Sequence, residues 1–216
     1  MKKYLEKLPR ELKKVVNQVI KVSQETRLPA YLVGGCLRDL ILGIKNLDLD
    51  IAIEGNGIIF AQKLAQRLNS TLKIHPRFGT AVLILADGLK VDIATARQEK
   101  YPYPAALPVV SSGSLREDLK RRDFTINALA ISLVLGKDQE IIDPYGGQED
   151  LVLGRIRILH NLSFKDDPTR IFRAVRFSQR LDFKIEEETF TLLKEAIGEG
   201  ALDKVNPHRL RDELQK

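Results

Sequence analysis

Leu5, Leu8, Leu12, Val15, Val16 and Ile20 recur at three- and four-residue intervals among charged positions, which predicts an amphipathic helix at the start of the chain. The rhythm then shortens. Ala30-Tyr31-Leu32-Val33 is a brief apolar run ending at Gly34-Gly35 and predicts a buried strand, after which residues 36 to 42 return to a helical pattern closed by Gly43. Leu47 to Ile53 alternates Leu, Asp, Leu, Asp, Ile, Ala, Ile and predicts a second strand. A helix is expected at about 58–69, followed by strands at 71–75, 80–86 and 89–95, the last two joined as a hairpin by Asp87-Gly88. Pro102, Pro104, Pro108 and Ser111-Ser112-Gly113-Ser114 predict a mobile loop over 98–114. A helix is expected to begin near Phe124, a short strand at Glu140 to Asp143, and helical structure from about residue 155 onward. The pattern describes an α+β head followed by the start of an all-helical region, with no internal repeat.

With 216 residues the chain is long enough for one large domain or two small ones. Its 44% hydrophobic and 30% charged residues exclude a disordered chain. The net charge of +6 favours a polyanionic partner, although basic charge alone does not identify nucleic acid. Cys36 is the single cysteine, so no internal disulfide forms and a cytoplasmic location is expected. No apolar run approaches the roughly 18 residues of a membrane span, and no membrane partner is expected. Glu6 and Glu11 and the lack of a long apolar stretch argue against a leader segment.

Strand periodicity projects Asp48 and Asp50 from one face, with Leu49 and Ile51 on the other. Paired acids repel unless a cation lies beside them, and oxygen-rich sites suit Mg²⁺. A solvent-facing strand with incidental acids is the plain alternative. Asp92, on the later strand, would complete a cluster of three if the sheet brings it alongside; otherwise it is a charge on the hairpin edge. Gly34-Gly35 lies between strand and helix, where backbone can approach a phosphate and the following N–H groups can face it. Arg38 in the first helical turn can reach the same anion, or pair with Asp39.

Gly34-Gly35-Cys36-Leu37-Arg38-Asp39 followed by Asp48-Leu49-Asp50 resembles the opening motif of the bacterial-type (class II) tRNA nucleotidyltransferase and poly(A) polymerase family. Arg121-Arg122-Asp123-Phe124-Thr125-Ile126-Asn127-Ala128 resembles its second motif. Asp166-Asp167-Pro168-Thr169-Arg170 with Arg173-Ala174-Val175-Arg176-Phe177 resembles a third, and the segment from Asn206 to Leu214 the start of a fourth. The resemblance implies a polymerase-β-like head over residues 1–154 and a helical neck over 155–216. It implies metal ligation by Asp48 and Asp50 with an acid at Asp92, and nucleotide contacts from Gly34, Gly35, Arg38 and Arg122. It also implies that Asp167, Arg170, Arg173 and Arg176 line the nucleotide pocket. The implied reaction is addition of C and/or A from CTP or ATP to a tRNA 3′ end, with Mg²⁺ as cofactor. Relatives carry further helical regions, so the chain is expected to be either a truncated form or an unusually small enzyme with weak RNA affinity.

The third motif also has its own chemical logic. Arg170, Arg173, Arg176 and Arg180 share an arc of roughly 120° on a helix. Ionised Asp167 only accepts and Arg170 only donates hydrogen bonds, so the pair matches the amino donor and ring-nitrogen acceptor of cytosine or adenine and mismatches uracil and guanine. An N-cap ahead of Pro168 is the alternative reading of Asp167. The resemblance implies that the loop over 98–114 helps switch from C to A. Tyr101 to Ser114 contains no charged residue, and Arg97, Glu99 and Lys100 at its entrance are the nearest candidates for a basic–acidic pair. CC-only and A-only addition therefore stay as alternatives beside complete CCA addition and poly(A) synthesis. A non-catalytic RNA- or nucleotide-binding fragment is the alternative from a different class.

Overall fold

The computed structural model describes residues 4–45, 48–134 and 140–215. Its first half contains α1 (Arg10–Thr26), β1 (Ala30–Val33), α2 (Gly34–Leu42), β2 (Leu49–Ile53), α3 (Gly57–Leu68), β3 (Thr71–His75), β4 (Thr80–Ile84), β5 (Lys90–Thr95), β6 (Arg97–Lys100) and β7 (Val109–Ser112). The second half continues with α4 (Leu115–Lys120), β8 (Ala130–Ser132), β9 (Ile141–Ile142), α5 (Gly147–Leu153), β10 (Arg155–Ile156), α6 (Ser163–Asp166), α7 (Thr169–Leu181), β11 (Lys184–Ile185), α8 (Glu187–Gly198) and α9 (Pro207–Leu214).

Seven strands form one mixed sheet in the order β3-β4-β5-β2-β1-β8-β9. β2 and β5 run parallel, linked by the crossover through α3, and every other neighbouring pair is antiparallel. On one face α1 and α3 pack together, burying Leu12, Val15, Val16, Val19 and Val22 of the predicted amphipathic stripe. Each such side chain contributes about 1.5–3 kcal/mol of hydrophobic stabilisation. The core continues without interruption into Ile156, Phe164, Ile171, Ala174 and Leu193 of the helical region. Among the described residues no helix is long and apolar enough to cross a membrane.

Four expectations change. The region from residue 155 onward is not all helical, since β10 and β11 pair in parallel through Arg155 with Lys184 and Ile156 with Ile185. The stretch 98–114 is not a simple loop: β6 and β7 pair as an antiparallel ribbon, pairing Arg97 with Ser112 and Lys100 with Val109. Its polar sequence carries no apolar alternation, so the ladder comes from backbone pairing that periodicity cannot register. No α-helix begins near Phe124: the helix in this region, α4, starts at Leu115 behind a capping box formed by Ser114 and Glu117 and ends at Lys120. Thr125–Asn127 is a single 3-10 turn leading into β8, whose Ala130, Ile131 and Ser132 are all buried. Finally, β2 begins at Leu49; Leu47 lies outside the described residues.

Candidate active site

The acids come together because β2 and β5 are parallel neighbours in register, with Asp50 directly beside Asp92. Leu49 and Ile51 turn into the core while Asp50 turns the other way, as period-two geometry requires. Asp48 precedes the strand and is exposed. The carboxyl of Asp50 is raised above the usual range, first by burial, with Asp92 and Asp48 adding to the rise and Arg122 opposing it. Partial burial and the Asp48 charge also raise Asp92, against the pull of Lys90. The backbone N–H of Cys36 bonds to Asp50. Burial, then the Asp50 charge, push the Cys36 thiol up to about 12, which leaves it unionised and unsuited to act as a nucleophile.

Asp48, Asp50 and Asp92 offer only carboxylate oxygens, a donor set suited to a hard divalent cation. The described residues contain no preassembled group of three ligating side chains, so such an ion would complete its shell with water and substrate phosphate. The donor set therefore fits a hard divalent cation.

Gly34 opens α2 with φ +71°, and Nη1 of Arg122 lies 2.9 Å from the point where a Cβ on Gly34 would stand. Oδ2 of Asp50 is 3.3 Å from that same point. The guanidinium of Arg122 therefore lies over the glycine turn beside the acids. It donates to Asp118 at 3.0 Å and to the carbonyl of Asn127 at 3.3 Å. Its Nε is buried without a hydrogen-bond partner among the described residues.

All the sequence-predicted residues except Arg176 line one open cavity of about 1000 Å³. They do not all present free donors to it. Arg38 is 2% exposed and commits its guanidinium to Asp39 at 2.8 Å and to Oδ1 of Asn127 at 2.7 Å. The alternative pairing with Asp39 is thus the one observed. Arg173 is held by Asp123 at 2.7 Å, and Asp123 also accepts from Asn127 at 2.9 Å. Arg176 faces Glu213 of α9 instead of the cavity. The four-arginine face of α7 is therefore divided: Arg170, Arg173 and Arg180 reach the cavity wall, and Arg176 pins α9.

Asp167 performs the capping role and also faces the cavity. Its Oδ1 accepts from the backbone N–H of Thr169 at 3.2 Å, from the Thr169 hydroxyl at 2.6 Å and from Arg209 at 2.9 Å. Arg170 is 5% exposed, donating to Ser163 at 2.7 Å and to the carbonyl of Arg121 at 2.8 Å. These contacts orient the Asp167/Arg170 pair from behind.

Sequence reasoning left several wall residues unassigned. Arg209 lies in the fourth motif, whose order alone does not show that it reaches back to Asp167. Phe177 has the guanidinium of Arg38 4.9 Å from its ring centre and that of Arg173 5.4 Å. Glu99 on β6 gathers Arg97 at 2.8 Å, Arg121 at 3.1 Å and the Tyr101 hydroxyl at 3.0 Å. The tip of the β6–β7 ribbon is docked on α6, where the N–H of Ala105 donates to the carbonyl of Lys165 at 2.9 Å. Glu99 had a sequence signal, being the acid between two bases at the ribbon entrance; Ala105 had none.

Residues 30–157 match the family described as the poly A polymerase head domain. The A-adding tRNA nucleotidyltransferase of Geobacter sulfurreducens is 50% identical over 207 residues, covering 96% of this chain and 24% of that protein. A solved CCA-adding enzyme in an apo form superposes with a TM-score of 0.91 at 48% identity, over 97% of this chain and 49% of the other. The Thermotoga maritima CCA-adding enzyme in complex with tRNA superposes with a TM-score of 0.85 at 46% identity, over 98% of this chain and 48% of the other. This chain thus spans between about a quarter and a half of the length of those relatives. With the sheet, the acid pair and the glycine turn all in place, the chain belongs to the poly A polymerase head domain family.

Proposed function

We propose that the protein transfers a nucleotide from CTP or ATP to the 3′-hydroxyl of a tRNA. The observation that carries this reading is the Asp50–Asp92 pair, with the Arg122 guanidinium set beside Asp50 over Gly34. The new bond joins the RNA 3′-oxygen to the α-phosphorus, the bond from that phosphorus to pyrophosphate breaks, and the hydroxyl proton passes to Asp92. Asp48 and Asp50 would hold Mg²⁺, which would supply positive charge to the reacting phosphate. Arg122 sets its guanidinium over the Gly34-Gly35 turn beside the triphosphate, and that turn lets the phosphates approach the backbone. Arg38 positions α2 and Asn127, and its charge acts on the phosphates from within the wall. Asp167 and Arg170 match the base edge of cytosine or adenine, while Arg173 extends the basic wall. Catalysis is then largely positioning and charge stabilisation.

Residues 1–154 act as the head and 155–216 as the neck, a division supported by the family match ending at residue 157. A single cysteine and a tRNA substrate are in keeping with the cytoplasm. Addition of A alone is the second reading, favoured by the relative that is 50% identical and named A-adding.

The test supplies tRNAs ending before CCA, after CC, or after CCA, with Mg²⁺ and CTP and ATP separately and together. Extension that disappears in Asp48→Ala/Asp50→Ala supports transfer, and the product lengths separate CCA, CC, A and poly(A) addition. Nucleotide binding without any extension would instead mark a binding module.

A further inference from the structure

Asn127 lies in the cavity wall, 6% exposed, where arginines from three segments of the chain converge. Nη1 of Arg38, from α2, donates to its Oδ1 at 2.7 Å. Its Nδ2 donates to Oδ1 of Asp123 at 2.9 Å, and Oδ2 of Asp123 accepts from Nε of Arg173, from α7, at 2.7 Å. Its backbone carbonyl accepts from Nη1 of Arg122 at 3.3 Å.

The neighbours fix which way the amide points. A guanidinium only donates, so Arg38 must meet the amide oxygen. Burial pushes the Asp123 carboxyl up, but Arg173 and the amide outweigh it and hold the group below the ordinary range. An ionised carboxylate only accepts, so Asp123 must meet the amide nitrogen. Neither alanine nor an ionised aspartate at this position supplies both contacts.

The amide joins two bodies that are each anchored separately. One is α2, whose first turn is Gly34-Gly35 and whose Arg38 is also held by Asp39 at 2.8 Å. The other is α7 with the segment Arg121–Asp123, tied together by Arg173 on Asp123 and by Arg170 on the Arg121 carbonyl at 2.8 Å. Arg122 in that segment has its own anchor in Asp118 at 3.0 Å. Without the amide each body keeps these internal contacts. Arg180 also crosses between them, reaching Asp39 at 3.3 Å, but from a half-exposed side chain where water competes. The Arg38 guanidinium over the Phe177 ring, 4.9 Å from its centre, crosses as well but makes no hydrogen bond there.

We propose that Asn127 is a positioning residue that sets the register between the glycine turn, which takes the triphosphate, and the α7 wall, which takes the base. A ligand that spans two sites gains from the second only when the two are correctly spaced. The inference rests on the reading that this cavity binds a nucleoside triphosphate.

The test needs no transfer. Calorimetry gives Kd for ATP and for inorganic tripolyphosphate without RNA or divalent ion, and the ratio of the two reports what the base wall adds. In Asn127→Ala and Asn127→Asp the advantage of ATP should fall by about tenfold or more. Asn127→Asp keeps the side-chain shape, so the ratio can be read even where the alanine variant is too unstable. Its added charge acts on both ligands alike and drops out of the ratio. Thr125→Val, in the same turn, removes a buried hydroxyl that donates to Asp150 at 2.6 Å; it should lower Tm and leave the ratio unchanged. An unchanged ratio in the Asn127 variants, an equal fall in Thr125→Val, or no advantage of ATP in the unaltered protein overturns the inference. A protein that shows the expected ratios and extends no primer keeps the inference and sinks the proposed transfer. Failure to bind either ligand sinks both.

Discussion

Nη1 of Arg122 occupies the space that a side chain on Gly34 would need, 2.9 Å from the site of its first carbon. The φ of +71° adds a backbone penalty of about 1–2 kcal/mol for any L side chain there. Gly34→Ala should therefore displace the guanidinium from Asp50 while leaving the fold intact. Thermal denaturation should show a modest loss of stability, and titration with ATP or CTP should show affinity reduced by about tenfold or more. Unchanged nucleotide affinity would separate Arg122 from the phosphate site.

The raised carboxyls of Asp50 and Asp92 make the acid pair a liability before a cation binds. The folded protein holds these protons at a pH where the unfolded chain has lost them, so their contribution to stability declines as pH rises from the ordinary carboxylate range through the folded values. Asp50→Asn should raise Tm at neutral pH without Mg²⁺ and should abolish extension. Mg²⁺ should raise Tm of the unaltered protein and have little effect on the variant. A lower Tm for Asp50→Asn would show that Arg122 and the Cys36 N–H outweigh the repulsion.

Asp123 behaves in the opposite sense. Burial pushes its carboxyl up, but Arg173, with Asn127, outweighs that and holds it below the ordinary range. Its stabilising contribution is present above the unfolded carboxylate value and is lost as pH falls through the lower folded value. Asp123→Ala strands Arg173 and should cost about 3–5 kcal/mol, read from denaturant unfolding at pH 7. As pH falls below the ordinary carboxylate range the deficit should shrink, because the native carboxylate is then also neutralised. A deficit independent of pH would mean that packing and not charge is responsible.

Arg209 reaches from α9 to Oδ1 of Asp167. Arg209→Ala leaves Asp167 bonded to Thr169 alone among these partners, free to shift away from Arg170. Discrimination for CTP or ATP over UTP and GTP should narrow by up to about tenfold in kcat/KM, with little change in kcat for the preferred nucleotide. A uniform fall across all four nucleotides would assign Arg209 to triphosphate binding instead.

Much of the fold was legible because its signals are local. The apolar stripe ending in Val15, Val16 and Ile20, the alternation around Asp48 and Asp50, and the Asp87-Gly88 turn each follow from geometry within a few residues. The β6–β7 ribbon was not legible, because Arg97-Gln98-Glu99-Lys100 has no buried face to impose an alternation and pairs through its backbone alone. α4 was missed although Ser114 and Glu117 announce it, because its mixed charges resemble an ordinary surface segment.

The sequence by itself determined the chemistry available: which acids share a strand, where glycine admits a phosphate, and which arginines share a helical face. Only the tertiary structure decided how those groups are spent. Arg38, Arg173 and Arg176 look alike along the chain, yet Asn127, Asp123 and Glu213 come from distant segments and divide them between wall and scaffold. The division is tertiary because a buried guanidinium must satisfy its donors, and beyond the adjacent Asp39 of Arg38 these acceptors lie 89, 50 and 37 residues away in the chain.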